Sequence, residues 1–308
     1  MQKIIYISFL LIIIITGCRA GPPPAATPVA SPRPTIDPSM KPLVFASIPM
    51  DNRLKMLEGW SMLADYITQE TGIPVDVTIK KSYHEIIEAL SSKEVDFCYT
   101  GPLIYLGAHE KAGAIPLVKP VANGQPFYTS VIIVRKDSGI NDVAGLKGKS
   151  FAFTDRDSTS GYLFPRAMLA EEGVKSLKFF SKVSYSGGHD SSLEGVYQKY
   201  IDGAGIFDYA FVKEKNTKTD ELKILKTSEP IPMGPIVISK NFDPEIAKKL
   251  LAVFLTIGKT EETKILAEKI KVDNITSQGD SLFIQMPVFE SQFRINYRNK
   301  KITGFWIK

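Results

Sequence analysis

The chain has 308 residues, 44% hydrophobic and 23% charged, which is globular composition with apolar material for one large or two medium domains. Its net charge of +5 is spread among interleaved acids and bases, which excludes a nucleic-acid footprint and suits attraction of a small anion. Two cysteines and three histidines exclude a structural zinc site, and no stretch calls for a cofactor.

The first segment reads as a targeting signal. Lys3 precedes a nearly unbroken apolar run from Ile4 to Ile15, too short for a comfortable membrane span. The run ends in Ile15-Thr16-Gly17-Cys18, which resembles the lipobox of bacterial lipoproteins. That resemblance implies cleavage after residue 17 and lipid attachment at Cys18, holding the mature chain to a membrane surface. Residues 18–42 are crowded with Pro, Ala, Ser and Thr and read as an extended stalk. Cys98 then has no partner and reads as a small buried hydrophobe.

The body begins with a strand at Leu43 to Ile48, stopped by Pro49. Leu57, Trp60, Leu63 and Ile67 keep helical spacing across Leu54 to Thr71, and Gly72 closes that helix. A strand at Val75 to Ile79, a helix at Tyr83 to Leu90 and a strand at Val95 to Tyr99 follow. Such alternation predicts a parallel sheet, whose ligands collect at the carboxyl ends of the strands. Tyr83 and Thr100 fall at that edge. Pro126 to Arg135 reads as one long strand, and Ser150 to Phe153 as another. Further on come strands at Phe179 to Ser184 and Gly205 to Phe211, with a helix at Ser191 to Tyr200 between them. Together these predict a second α/β unit. Pro230-Ile231-Pro232-Met233-Gly234-Pro235 is a rigid connector able to return the chain to the first unit. The strand Ile236 to Ser239 follows it, then helices at Pro244 to Ile257 and Thr260 to Ile270. Residues 281–308 take no assignment.

The most informative stretch is Ser158-Thr159-Ser160-Gly161, between a strand and the helix-like run Arg166 to Glu172. A helix start carries unpaired N–H groups and partial positive charge. One hydroxyl there would be an ordinary N-cap. Three in succession, closed by a glycine that lets backbone come near, form a donor array for a tetrahedral anion.

Several motifs then occur in order: Tyr128 to Ile140, Leu146-Lys147-Gly148-Lys149, Ser158 to Leu163 with Pro165, and Gly188-His189-Asp190. This series resembles the phosphonate-, phosphite- and phosphate-binding proteins of ABC importers, from about Leu43 into the helices after Pro235. The resemblance implies an α/β, two-lobed type II periplasmic-binding-protein fold, each lobe a mixed sheet flanked by helices. The ligand would lie in the cleft between them. Residues 43–128 plus about 258–308 would form the first lobe and residues 129–257 the second. It further implies a monomer that binds a small phosphorus oxyanion, without catalysis or cofactor, and delivers it to a permease and ATPase. Ser158, Thr159, Ser160 and His189 would hold the phosphoryl oxygens; Gly161 reads as the close-approach residue beside them, and Tyr128 as a residue near the hinge with packing and ligand contact both open to it. Tyr83 matches one tyrosine donor of the family, and Thr100 stands where a second is expected. Gly234 stands where phosphonate-binding relatives can carry an acid for a ligand amine.

For His189 the plain alternative is a buried structural histidine; Gly187-Gly188 and the resemblance favour ligand contact. His84 and His109 read as surface or helix-lining residues, Asp208 as a brace, and Trp60 and Trp306 as packing. A ligand sensor with the same fold, and a serine hydrolase using Ser160, His189 and Asp190 or Asp208, are the alternatives. The hydrolase lacks the Gly-x-Ser-x-Gly elbow, because Ser158 occupies the first glycine position.

Overall fold

A computed structural model describes residues 34–36, 39–208, 217–277, 295–296 and 301–302. The signal segment, Cys18, most of the stalk and Trp306 lie outside the described residues. Among the described residues no helix is long and apolar enough to cross a membrane.

The first lobe opens with β1 (Leu43–Ser47), α1 (Arg53–Thr71), β2 (Val75–Ile79), α2 (His84–Ser91) and β3 (Phe97–Tyr99). Asn52 starts α1 by accepting the N–H groups of Leu54 and Lys55, and Gly72 ends it with φ +74°. Both are ends that a side chain or a left-handed turn must satisfy. Strand β1 pairs in parallel with β2 and with β3, as the alternation predicts. Two elements escape the sequence reading: α3 (Pro102–Ala112) and β4 (Ile115–Val121). Buried residues fall on nearly every side of α3, so it lacks the one-sided period of a surface helix. Pro116 and Pro120 disguise β4 as a loop.

The long strand expected from Pro126 to Arg135 is two, β5 (Phe127–Tyr128) and β6 (Ser130–Arg135), broken at Thr129. The second lobe continues with β7 (Ser150–Phe153), α4 (Phe164–Glu171), β8 (Lys182–Tyr185), α5 (His189–Tyr197), β9 (Gly203–Phe207) and β10 (Leu222–Thr227). Their sheet runs β10-β6-β9-β7-β8. Alternation along β7 sends Phe151 and Phe153 to one core, with Met168 of α4, and Ala152 to the other, with Leu193 of α5. The lobe is thus a sheet sandwiched between helices.

After β10 the chain passes through β11 (Ile231–Pro232) into β12 (Ile236–Ile238), α6 (Pro244–Phe254), α7 (Glu261–Lys269) and β13 (Asn274–Thr276). Strand β12 inserts antiparallel between β3 and β4, completing the sheet β13-β4-β12-β3-β1-β2. Leu250 and Phe254 of α6 pack in the same core as Phe45 and Phe97. The expected extent of the second lobe, residues 129–257, is corrected accordingly: β12 and α6 belong to the first lobe. Their hydrogen bonds and apolar contacts are non-local, so linear order hides them. Strands β5 and β11 are the two passages between lobes, and they pair with each other, Ile231 opposite Tyr128. That ribbon joins the lobes and stands where the resemblance expects the hinge.

Candidate ligand-binding site

Strand β7 delivers the chain to Thr154, whose N–H donates to the Gly161 carbonyl at 3.0 Å, so residues 155–160 loop out and return. Asp155 shapes the loop by accepting the N–H of Asp157 at 2.8 Å. Ser158 is the helix cap: its hydroxyl accepts from the Gly161 N–H at 2.9 Å. The next turn is wide, since the Leu163 N–H reaches back five residues to the Ser158 carbonyl at 3.1 Å. Thr159 and Ser160 are the first residues of this turn, so no helical carbonyl lies ahead of their N–H groups. The Ser130 hydroxyl pins the Ser160 carbonyl at 2.7 Å. Gly161 is required sterically: a Cβ would sit 2.1 Å from Thr154 Oγ1.

Three further side chains meet this turn. Tyr83 is 2% exposed. Its hydroxyl faces Ser158, yet it makes no bond of ordinary hydrogen-bond geometry. Burial pushes its pKa well up. Tyr128, on the hinge ribbon, reaches Ser160 and Thr159 and is also raised, chiefly by burial. His189 starts α5; its Nδ1 accepts the Phe207 N–H at 3.2 Å and its ring stands edge-on to Phe207. A backbone N–H only donates, so the proton of this imidazole sits on Nε2. Burial pushes its pKa down to about 3, which keeps it neutral. His189 therefore offers one donor, where the sequence reading allowed either nitrogen.

Ser158, Thr159, Ser160, His189, Tyr83 and Tyr128 all line one cavity of about 210 Å³ between the lobes. The lobes also touch directly across it. The Thr159 hydroxyl accepts the Leu103 N–H at 2.9 Å, which caps α3, and the His189 N–H donates to the Met50 carbonyl at 3.0 Å. Beside them His84 lies 3.5 Å from the buried carboxylate of Asp157.

Two expected site residues take other roles. Gly161 gives its N–H to Ser158 and is not in the cavity wall. Thr100 is fully buried outside the wall, its hydroxyl donating to the Pro235 carbonyl at 3.2 Å. The β3 residue in the wall is Tyr99, ring-packed on Trp60 at 5.5 Å, its pKa pushed up to about 12 by burial. Neighbours along a strand face opposite ways, and Tyr99 shares the side of Phe97; that period was the available signal. Gly234 has a packing reason, because a Cβ there would lie 1.9 Å from the Thr100 carbonyl oxygen. Asp208 accepts the Thr129 hydroxyl at 2.8 Å, bracing the hinge, and also reaches the cavity. Trp60 is both core and wall. The geometry opposes a serine hydrolase: a triad needs histidine Nδ1–H donating to a carboxylate, and here Nδ1 accepts a backbone N–H.

Two α/β lobes on a two-strand hinge, enclosing a hydroxyl-lined cavity, define a cleft-type solute-binding protein. The chain belongs to the family described as ABC transporter, phosphonate, periplasmic substrate-binding protein, whose family model matches residues 45–283. It is 30% identical over 278 residues to a phosphonates-binding periplasmic protein of Escherichia coli, covering 84% of this chain and 82% of that one. In fold it resembles a binding component of an ABC phosphonate transporter from Pseudomonas aeruginosa (TM-score 0.75, 24% identity, 84% and 89% coverage). It also resembles Prochlorococcus marinus PhnD1 solved with methylphosphonate (TM-score 0.73, 19% identity, 82% and 98% coverage).

Proposed function

We propose that this chain captures a phosphorus oxyanion, a phosphonate, phosphite or phosphate, and hands it to the permease and ATPase of an importer. The observation carrying this reading is the buried Tyr83 hydroxyl, bonded to no protein group, beside the Ser158–Thr159–Ser160 turn in the cavity between the lobes. Serine and tyrosine hydroxyls, the first N–H groups of the turn and His189 Nε2–H together supply enough donors for three phosphoryl oxygens. Neutral donors suffice, because a helix start favours negative charge and each charge-assisted bond is stronger than a neutral one. The named ligand classes of the E. coli and Prochlorococcus relatives support it. The body acts as a monomer tethered by lipid on Cys18, which the Gly17-Cys18 junction after an apolar run supports.

Calorimetry with phosphate, phosphite, methylphosphonate and aminoethylphosphonate tests the ligand class. Micromolar or tighter binding, about 8 kcal/mol or more, is expected for at least one. Silence for all four discards it. Separately, Cys18→Ser releases the protein from the membrane fraction; continued membrane association in that variant removes the anchor.

A further inference from the structure

Beside the cavity the lobes meet along a short seam, where residues 188–190 at the start of α5 face residues 49–51 after β1. A Cβ on Gly188 would lie 3.6 Å from the Pro49 carbonyl oxygen. The His189 N–H donates to the Met50 carbonyl at 3.0 Å. The third pair is two carboxylates, Asp190 and Asp51. They feel each other: burial, and after it the Asp51 charge, hold Asp190 above the ordinary carboxylate range, while Lys271 pulls the other way. The Asp51 side chain is only 11% exposed and is ion-paired with Lys271, and both residues line the cavity.

Lys271 holds this place at a backbone cost. Helix α7 ends there in a Schellman turn, with the Lys271 N–H donating to the Glu268 carbonyl at 3.1 Å and the Val272 N–H to the Ala267 carbonyl at 2.9 Å. The turn sets Lys271 in the left-handed region, φ +59°, where glycine is the ordinary residue. Capping alone does not call for a lysine. What the lysine adds is an ammonium on Asp51, at the wall of the cavity.

Resting on the function proposed above, we infer that Lys271 is a positioning residue for oxyanion capture, whose ammonium offsets the charges of Asp51 and Asp190 so that the lobes can meet beside a bound anion. Without it, two facing carboxylates and an anionic ligand would stand close together, all of one sign, where water screens them poorly. The phosphoryl oxygens are left to the hydroxyl turn and His189.

Calorimetry with phosphate, phosphite, methylphosphonate and aminoethylphosphonate reads this role in Lys271→Gly and in the double variant that adds Asp190→Asn. Glycine suits the left-handed turn, so Lys271→Gly removes the ammonium and keeps the helix end. Asparagine keeps a short polar side chain at the start of α5. Lys271→Gly should weaken the tightest of the four ligands at least about tenfold, because two charges at the seam lose their partner. Adding Asp190→Asn should bring affinity back to within about threefold of wild type, a non-additive pair. Wild-type affinity in Lys271→Gly overturns the inference. So does a loss that Asp190→Asn leaves in place, since the ammonium would then act on the ligand directly. Oxyanion capture stands in either case. Silence of the wild type towards all four ligands overturns capture itself, and the role of Lys271 with it.

Discussion

Tyr83→Phe separates binding from stability better than any other change in the cavity. The substitution removes one oxygen and keeps the ring, which packs against the first core. In the structure that oxygen is buried and bonded to no protein group. A buried polar group in that position costs roughly 1–3 kcal/mol, less whatever is recovered when the lobes open and water enters. The unliganded variant should therefore lose no stability and gain up to about 1 kcal/mol, or about 2–4 °C in Tm for a body of this size. With ligand present the hydroxyl becomes a donor to a charged oxygen, worth roughly 1.5–3 kcal/mol. Affinity should fall roughly 10- to 100-fold. Thermal unfolding with and without methylphosphonate, beside calorimetry, reads both effects on one sample. A clear drop in the Tm of the unliganded variant would refute the reasoning, because the oxygen would then have a structural partner. Unchanged affinity would remove Tyr83 from the site.

Thr100→Val loses a hydroxyl bonded to Pro235 but no cavity contact. The Pro235 carbonyl keeps the Thr100 N–H, so stability should fall by about 1 kcal/mol or less with affinity unchanged within about twofold. A tenfold loss of affinity would return Thr100 to the site. Gly234→Ala places a Cβ on the Thr100 carbonyl oxygen and should cost at least about 2 kcal/mol in urea unfolding; a wild-type midpoint would contradict that packing. His189 has a folded pKa near 3, below its ordinary 6.5, so the unfolded chain binds the extra proton. Its contribution to stability is full above about pH 6.5 and drains away as pH falls towards about 3, at up to about 1.4 kcal/mol per pH unit. His189→Gln should flatten that part of the acid dependence, and parallel pH profiles for variant and wild type would show that His189 is not buried neutral.

The local features of the chain were legible. Helix α1 announced itself through apolar spacing and Gly72, and the Ser158–Ser160 run could be singled out because its hydroxyls are contiguous and bounded by a strand and a helix. What needed three dimensions was non-local. Strand β12 is three residues long, and nothing in its own sequence says that it inserts between β3 and β4. Thr100 follows Tyr99, the β3 residue that lines the cavity, and its own hydroxyl turns to the Pro235 carbonyl, a difference of one position that composition does not reveal. The apolar part of the cavity wall was illegible for a different reason: Trp60, Tyr99, Ile236 and Ile270 have the composition of ordinary core, and only the gap between the lobes turns part of that core into a surface.

The residues that would hold a ligand also hold the lobes together, and this duplication couples the two events. The Thr159 hydroxyl oxygen accepts the Leu103 N–H of the first lobe, and Thr159 also lines the cavity. His189 gives its N–H to Met50 of the first lobe, while Nε2–H carries its remaining donor. Separating the lobes would break both contacts and withdraw Tyr83 from Ser158, so a ligand needing the full donor set would require them together. A ligand that needs all of these donors binds the closed state better than the open one, and that difference in affinity is what shifts the population towards closure.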